Sequence, residues 1–356
     1  MNSKTLLAVL MALLGLCATS AWAERDIVYS ARYYTGTSAD RFHLYRIDPD
    51  GRHRTQITFG AHNDTDPTWS PDGKSILFTR DGDIVCVVGE GGGHVRNVVK
   101  PIHGVVEHFV TNVRWWPDSK GIIVPTLRGG EGAVVDLDGR TLSRFPRCAA
   151  ATISPDGDNA YVDDGGGGSA AVLSDDHKLT IARRLALPVV TAAWITPEAI
   201  VGVTEGEGDA SDGIAGFDEN GSRLWTREVS RQSPAGDNLG DLGAAFRQVI
   251  PIPGDMRNVI LGEVARDTVQ PAYSYWRTSV DTGKATLLLS AYRFFLFQPS
   301  GQSYLTLSCP LIDSESGPKY HVPISALSVG RSAADSLPPS VIVGGLVMVE
   351  AADWRR

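Results

Sequence analysis

The chain has 356 residues, 42% of them hydrophobic, which is enough to bury one large core or two ordinary ones and excludes a disordered polypeptide. Its 33 Lys and Arg against 41 Asp and Glu leave a formal net charge of -8 without a basic run, so nucleic acid is not an expected partner. The 38 glycines and 20 prolines are scattered rather than periodic at three, which excludes collagen and suits many short strands joined by tight turns.

Residues 1–23 differ from the rest: Lys4 precedes the apolar run Leu6 to Leu16, and small residues end at Ala21-Trp22-Ala23. This is the pattern of an export signal with an A-x-A cleavage site. A lipid anchor on Cys17 would want a small residue where Leu16 stands, so the signal peptide is the preferred reading. No later run reaches the roughly 18 apolar residues of a membrane-spanning helix. The expectation is a single domain over residues 24–356, periplasmic or secreted, with no membrane span and monomeric. Three cysteines remain after cleavage, Cys86, Cys148 and Cys309, each in or beside strand-like apolar sequence, and they read as small buried hydrophobes rather than as a disulfide framework.

In chain order, Ile27 to Ser30, Phe42 to Asp48 and Arg54 to Thr58 read as short strands, with Asp48-Pro49-Asp50-Gly51 as the turn between the last two. Asp64 to Arg80 then states a complete hairpin: a strand ending at Trp69, the turn Ser70-Pro71-Asp72-Gly73, and a strand from Ile76. Ile84 to Val88, a Gly89 to Gly93 turn and Val95 to Val99 complete a four-strand unit. The first turn recurs at Trp116 to Lys120, Ser154 to Asp158, Thr196 to Ala199, Pro251 to Asp255 and Gln298 to Gln302. Its prolines, 71, 117, 155, 197, 253 and 299, are 46, 38, 42, 56 and 46 residues apart. The second turn keeps phase with it, ending at Gly139, His177, Gly221 and Gly283. A period near 40 to 45 built of four strands is the signature of a propeller blade.

Six units carry the first hairpin, and the N-terminal segment supplies three strands of a seventh that lacks its innermost strand. Leu346 to Trp354 fits that place, with Ala352-Asp353-Trp354 matching Pro67-Thr68-Trp69. The fold class is therefore all-β, a seven-bladed β-propeller whose first blade is closed by the C-terminal strand; six blades are the alternative if Gln232 to Ser290 holds only a degenerate unit.

The phrase DPTWSPDGKSILFTR, preceded by LYRIDPDGRHRTQIT, resembles the repeat of the TolB-type propellers, shared with the propeller domains of prolyl-oligopeptidase relatives and with oligogalacturonate lyases. The resemblance is specific in the first three or four blades and weak after Trp194. TolB carries an α/β domain ahead of its propeller, for which no segment stands between Ala23 and Ile27, and the chain lacks the G-x-S-x-G elbow that a hydrolase domain would bring.

In such a blade both tight hairpins lie on one face of the disc, and the longer second-to-third connections lie with the blade crossings on the other, where a ligand would be read. Candidate ligand-binding residues are the loop acids Asp163, Asp164, Glu205 and Glu207, with Trp276 beside a variable loop as an aromatic contact. Trp69, Trp116 and Trp194 stand beside the first turns and are expected to pack between neighbouring sheets. Two adjacent crossings gather His62, Asn63 and Asp64 with His103, Glu107 and His108, of which His62, Asp64, His103 and His108 are the candidate ligands of a divalent metal. The resemblance to the lyases, whose propellers hold a catalytic metal through histidines, implies the same; their wider ligand pattern has no counterpart in the later blades, which offer only His177, on the turn face, and His321. The expected function is an exported scaffold binding a protein or peptide through its loop face, with catalysis left open. The alternative is a metal-dependent, lyase-like enzyme acting on an acidic oligosaccharide.

Overall fold

The computed structural model describes residues 26–33, 40–99, 113–125, 131–146, 148, 150–163, 168–186, 189–204, 213–233, 235, 237, 244–265, 273–297, 301, 303–308, 327–331, 340–343 and 347–355. The expected signal peptide, Cys309, His103, Glu107 and His108 lie outside them. No helix among the described residues is long and apolar enough to cross a membrane.

Strands β1 (Ile27–Tyr33), β2 (His43–Ile47) and β3 (Thr55–Gln56) form blade one together with the last strand of the chain. Blade two is β4 (Asp64–Trp69), β5 (Ser75–Arg80), β6 (Ile84–Gly89) and β7 (Arg96–Val99); blade three is β8 (Arg114–Trp115), β9 (Gly121–Val124), β10 (Glu131–Asp136) and β11 (Thr141–Pro146). Blade four is β12 (Ala150–Ile153), β13 (Asn159–Asp163), β14 (Ser169–Ser174) and β15 (Lys178–Arg184), and blade five is β16 (Thr191–Thr196), β17 (Ala199–Thr204), β18 (Gly213–Asp218) and β19 (Arg223–Glu228).

After β20 (Ser230–Gln232) come β21 (Ala244–Ile252), β22 (Asp255–Ala265), β23 (Tyr273–Ser279) and β24 (Lys284–Phe297), then β25 (Ser303–Ser308), β26 (Leu327–Arg331), β27 (Ser340–Val343) and β28 (Val347–Trp354). The 14 residues of β24 serve two blades. Its first half pairs with β23, as in Tyr275 with Leu289, and ends blade six; its second half pairs with β25, as in Phe297 with Tyr304, and begins blade seven. The irregular region is thus a full blade, and six blades are excluded. It also carries an extra edge strand, because β20 pairs in parallel with β24 through Ser230 to Lys284, Arg231 to Ala285 and Gln232 to Thr286.

The ring closes as expected. β28 pairs antiparallel with β1, Trp354 opposite Ile27 and Ala352 opposite Tyr29, the register that puts Trp69 opposite Ile76 in blade two. Packing repeats the count, since seven buried clusters each join one neighbouring pair of blades. Trp69, Ile76 and Phe78 meet Val28 and Leu44 of blade one, while Leu77 and Val87, pointing the other way from the same blade, meet Trp115 and Ile122 of blade three. The last cluster sets Leu305 and Leu307 of blade seven against Ile27, Tyr29 and Trp354. Middle strands are covered on both faces and so read as unbroken apolar runs, as in SILFTR and IVCVVG, whereas the rim strand RLWTRE is largely exposed.

The tryptophans serve this packing. Trp69, Trp116 and Trp194 are buried between blades, and the residue equivalent to Trp69 in blade three is Trp115, which pairs with Ile122 and donates its indole N–H to the Thr68 carbonyl at 3.1 Å. Cys86 and Cys148 are buried, as the sequence reading has them, and form no disulfide among the described residues.

Candidate functional site

One face of the disc holds the tight turns, and neighbouring turns are bonded to each other. Ser119 Oγ accepts from the Asp72 N–H at 3.0 Å, and His177 lies 3.2 Å from the Asp118 carboxylate, with its ring centroid 5.3 Å from that of Trp116. His177 therefore belongs to the turn face, away from any loop-face site.

The loop face is best defined at the seam of blades one and two. Asp64, at the start of β4, is fully buried and accepts two hydrogen bonds from Arg80 at the end of β5, Nε to Oδ1 at 2.7 Å and Nη2 to Oδ2 at 3.0 Å. The adjacent connection is tied to the crossing: Asp81 Oδ1 accepts from the Asn63 N–H at 2.9 Å, its Oδ2 lies 2.6 Å from His62 Nδ1, and its own N–H donates to the Asn63 carbonyl at 2.7 Å. Asn63 in turn accepts the Phe42 N–H from blade one through Oδ1 at 3.2 Å.

Charge and burial set the protonation states. His43 stands beside this pair with its pKa lowered, by burial first and by the Arg80 charge, against the raising effect of Asp64, so its ring is neutral at pH 7. Burial works to raise the Asp81 carboxyl, but the Asn63 N–H and the His62 ring outweigh it and the net shift is downward. Asp66, two residues beyond Asp64, has its pKa raised by burial, which exceeds the opposing effects of the Thr65 hydroxyl and Arg114, and its φ of 51° is in the left-handed region.

This geometry corrects part of the metal assignment. Both oxygens of Asp64 are committed to Arg80, whose guanidinium also repels a cation, so Asp64 does not fit a metal ligand. His62 is held by Asp81, and among the described residues no three His, Cys, Asp or Glu side chains are grouped to hold a metal ion. His103 and His108, the other half of the expected set, lie outside the described residues.

Of the expected ligand-binding residues, Asp163 ends β13 on the loop face, half-buried, while Asp164, Glu205 and Glu207 lie outside the described residues. Trp276 is a correction. It is 1% exposed, packed between blades five and six, and its Nε1–H donates to Glu263 Oε2 at 2.8 Å. Glu263 Oε1 accepts from Arg231 Nε at 2.6 Å, and the Arg231 guanidinium lies 4.6 Å from the centre of the Phe246 ring, making a sealed ionic core in blade six. Sequence reasoning missed Arg80, Asp81, His43 and this Arg231–Glu263 pair. The Asp-to-Arg span of the model hairpin, Asp64 to Arg80, was the one readable signal, because antiparallel pairing puts its two ends side by side.

No family model matches the chain. An 83-residue stretch, 22% of the chain, is 35% identical to the protein described as uncharacterized peptidase YuxL of Bacillus subtilis, and it spans 12% of that protein's length. Solved structures match far more of the fold. A protein described as a 6-phosphogluconolactonase of Bacteroides fragilis superposes with a TM-score of 0.55 at 13% identity, over 93% of this chain and 99% of that one. Its counterpart from Bacteroides uniformis gives 0.52 at 13% identity, over 92% and 99%. TolB of Acinetobacter baumannii gives 0.48 at 15% identity, over 93% of this chain and 66% of that one. At such identities the likeness is one of fold.

Proposed function

We propose that the chain is an exported β-propeller scaffold that holds a protein or peptide partner against its loop face. The observation that carries this reading is the contrast between the two faces. First turns are held to two to five residues, from 197–198 to 70–74, and are bonded to neighbouring turns, whereas the sequence separation of second and third strands varies between blades, three residues from β5 to β6 and eight from β17 to β18. A rigid disc with variable loops suits recognition. Asp163, Asp164, Glu205 and Glu207 give that face carboxylates for a partner's basic patch, and the seam at Asp64 and Arg80 serves as its fixed floor.

The test is site-specific photo-cross-linking in the intact cell envelope. A cross-linking residue in place of Asp163 or Glu205 is expected to capture one defined protein, and one in place of Asp156, in a turn of the opposite face, none. Equal capture from both faces, or none from either, rejects the reading. Export is checked separately by N-terminal sequencing, which is expected to begin at Glu24.

A further inference from the structure

The outer rim carries charge of the opposite sign to the whole chain. Strands β11, β15 and β19, the rim strands of three consecutive blades, hold Arg144, Lys178, Arg183, Arg184, Arg223 and Arg227 against a single carboxylate, Glu228, in a protein of net charge -8. All six basic side chains are exposed. Arg144 pairs with Glu131 at 3.1 Å, Lys178 with Asp176 at 2.5 Å, Arg183 donates to Ser222 Oγ of the next blade at 3.4 Å and Arg227 to the Asp281 carbonyl at 3.0 Å, and Arg223 has no polar partner among the described residues. Leu142 and Leu224, on the same strands, are exposed apolar residues at 42% and 59%.

Each of these strands ends its sheet among the described residues. A lone charge is enough to guard such an edge against self-pairing, and β15 by itself carries three. Blade six shows what the equivalent edge accepts, since β20 lies there as a fifth strand in parallel register with β24. We propose that the rim of blades four and five is a second binding surface, where an extended acidic peptide segment adds as a further strand along β15, its carboxylates facing Lys178, Arg183 and Arg184. Main-chain pairing would supply the affinity and the basic row the choice of partner. The surface is separate from the loop face and does not depend on what that face binds.

The experiment is fluorescence anisotropy with a labelled alternating glutamate–valine octapeptide and the mature chain at low salt. Binding is expected to weaken about tenfold in the Arg183→Glu, Arg184→Glu double variant. It is expected to stay unchanged in the Arg52→Glu, Lys74→Glu double variant, an equal charge change on exposed side chains of blades one and two. Circular dichroism and the melting temperature establish that both variants are folded. Blocking alternate backbone N–H groups of the peptide by methylation is expected to abolish binding. Undiminished binding of the methylated peptide would reduce the surface to a polyanion patch and overturn strand addition. Equal affinity in the double variant, or stronger charge-dependent binding to phosphatidylglycerol vesicles than to the peptide, would overturn the assignment of the partner.

Discussion

At the scale of single residues, two carboxylates on β4 have opposite fates. Asp64 is buried with its charge matched by Arg80, whose side chain is only 13% exposed. Arg80→Met keeps most of the stem's volume and leaves the carboxylate buried alone, which is expected to cost about 3–5 kcal/mol in urea denaturation; a loss below about 1 kcal/mol would mean that water screens the pair. Asp66 is the reverse case, a group whose pKa burial has raised. Its unfolded form ionises first, so folding is penalised as pH rises past about 4, and the penalty is complete once the pH exceeds the folded pKa. Asp66→Asn keeps the shape and tolerates the φ of 51°. It is expected to raise the melting temperature at pH 7, with a gain that vanishes in acid below about pH 4; a gain that persists there would locate the effect outside the titration. Asp81 has the opposite sign, its pKa lowered, so its contribution is present above about pH 4 and is lost as pH falls through the folded pKa. The Cys86 thiol, pushed up to about 12 mainly by burial, is expected to resist thiol reagents in the native protein and to react once unfolded.

At the scale of elements, the turns explain both what could be read from sequence and what could not. Turn chemistry is local, so Pro-Asp-Gly announces a hairpin wherever it stands, and six prolines gave the blades their phase. The sequence does not show that a turn residue also touches the preceding blade. Gly283, at φ 72°, would place a Cβ 2.0 Å from the Glu228 carbonyl of blade five, while Gly254, at φ 78°, has nothing within 4 Å. Gly254→Ala is therefore expected to cost about 1 kcal/mol, the backbone penalty alone, and Gly283→Ala clearly more. Equal losses would mean that the turn and the neighbouring blade separate freely. Blade four has His177 at φ 61° in the corresponding turn, where its ring packs on Trp116. Trp276 was misread for a related reason. Nearness to a variable loop says nothing about burial in the third strand of a blade, where Tyr275 and Trp276 point to opposite sides and both meet a neighbouring blade. The Arg231–Glu263 pair joins residues 32 apart through the parallel β20, a pairing that no local pattern encodes.

At the scale of the whole molecule, closure decides whether the blades unfold together. β28 joins blade one, and its Asp353 also reaches blade two, where Oδ2 accepts the Trp69 N–H at 2.8 Å and the Thr68 hydroxyl at 3.0 Å. Just beyond the strand, Arg355 packs over Trp69 at 5.3 Å, lies 3.4 Å from the Asp26 carboxylate and bonds to Glu90. One short segment thus binds the chain's first strand to its last and to the second blade. Asp353→Ala leaves a buried backbone N–H without its acceptor, an expected loss of about 1–3 kcal/mol. Because the ring stays closed, the denaturant midpoint should fall with the slope unchanged. Removing residues 347–356 does something different in kind: it strips Trp354 and Ala352 from the cluster joining blades seven and one and exposes an edge of β1. With no covering strand, that edge is open to pairing with another chain. The truncated protein is expected to lose the single cooperative transition and to associate as its concentration rises, in sedimentation or light scattering. If it instead stayed monomeric with one transition of unchanged slope, six blades would suffice for a closed core, and the N- and C-terminal strands would be a cover rather than the clasp of the ring.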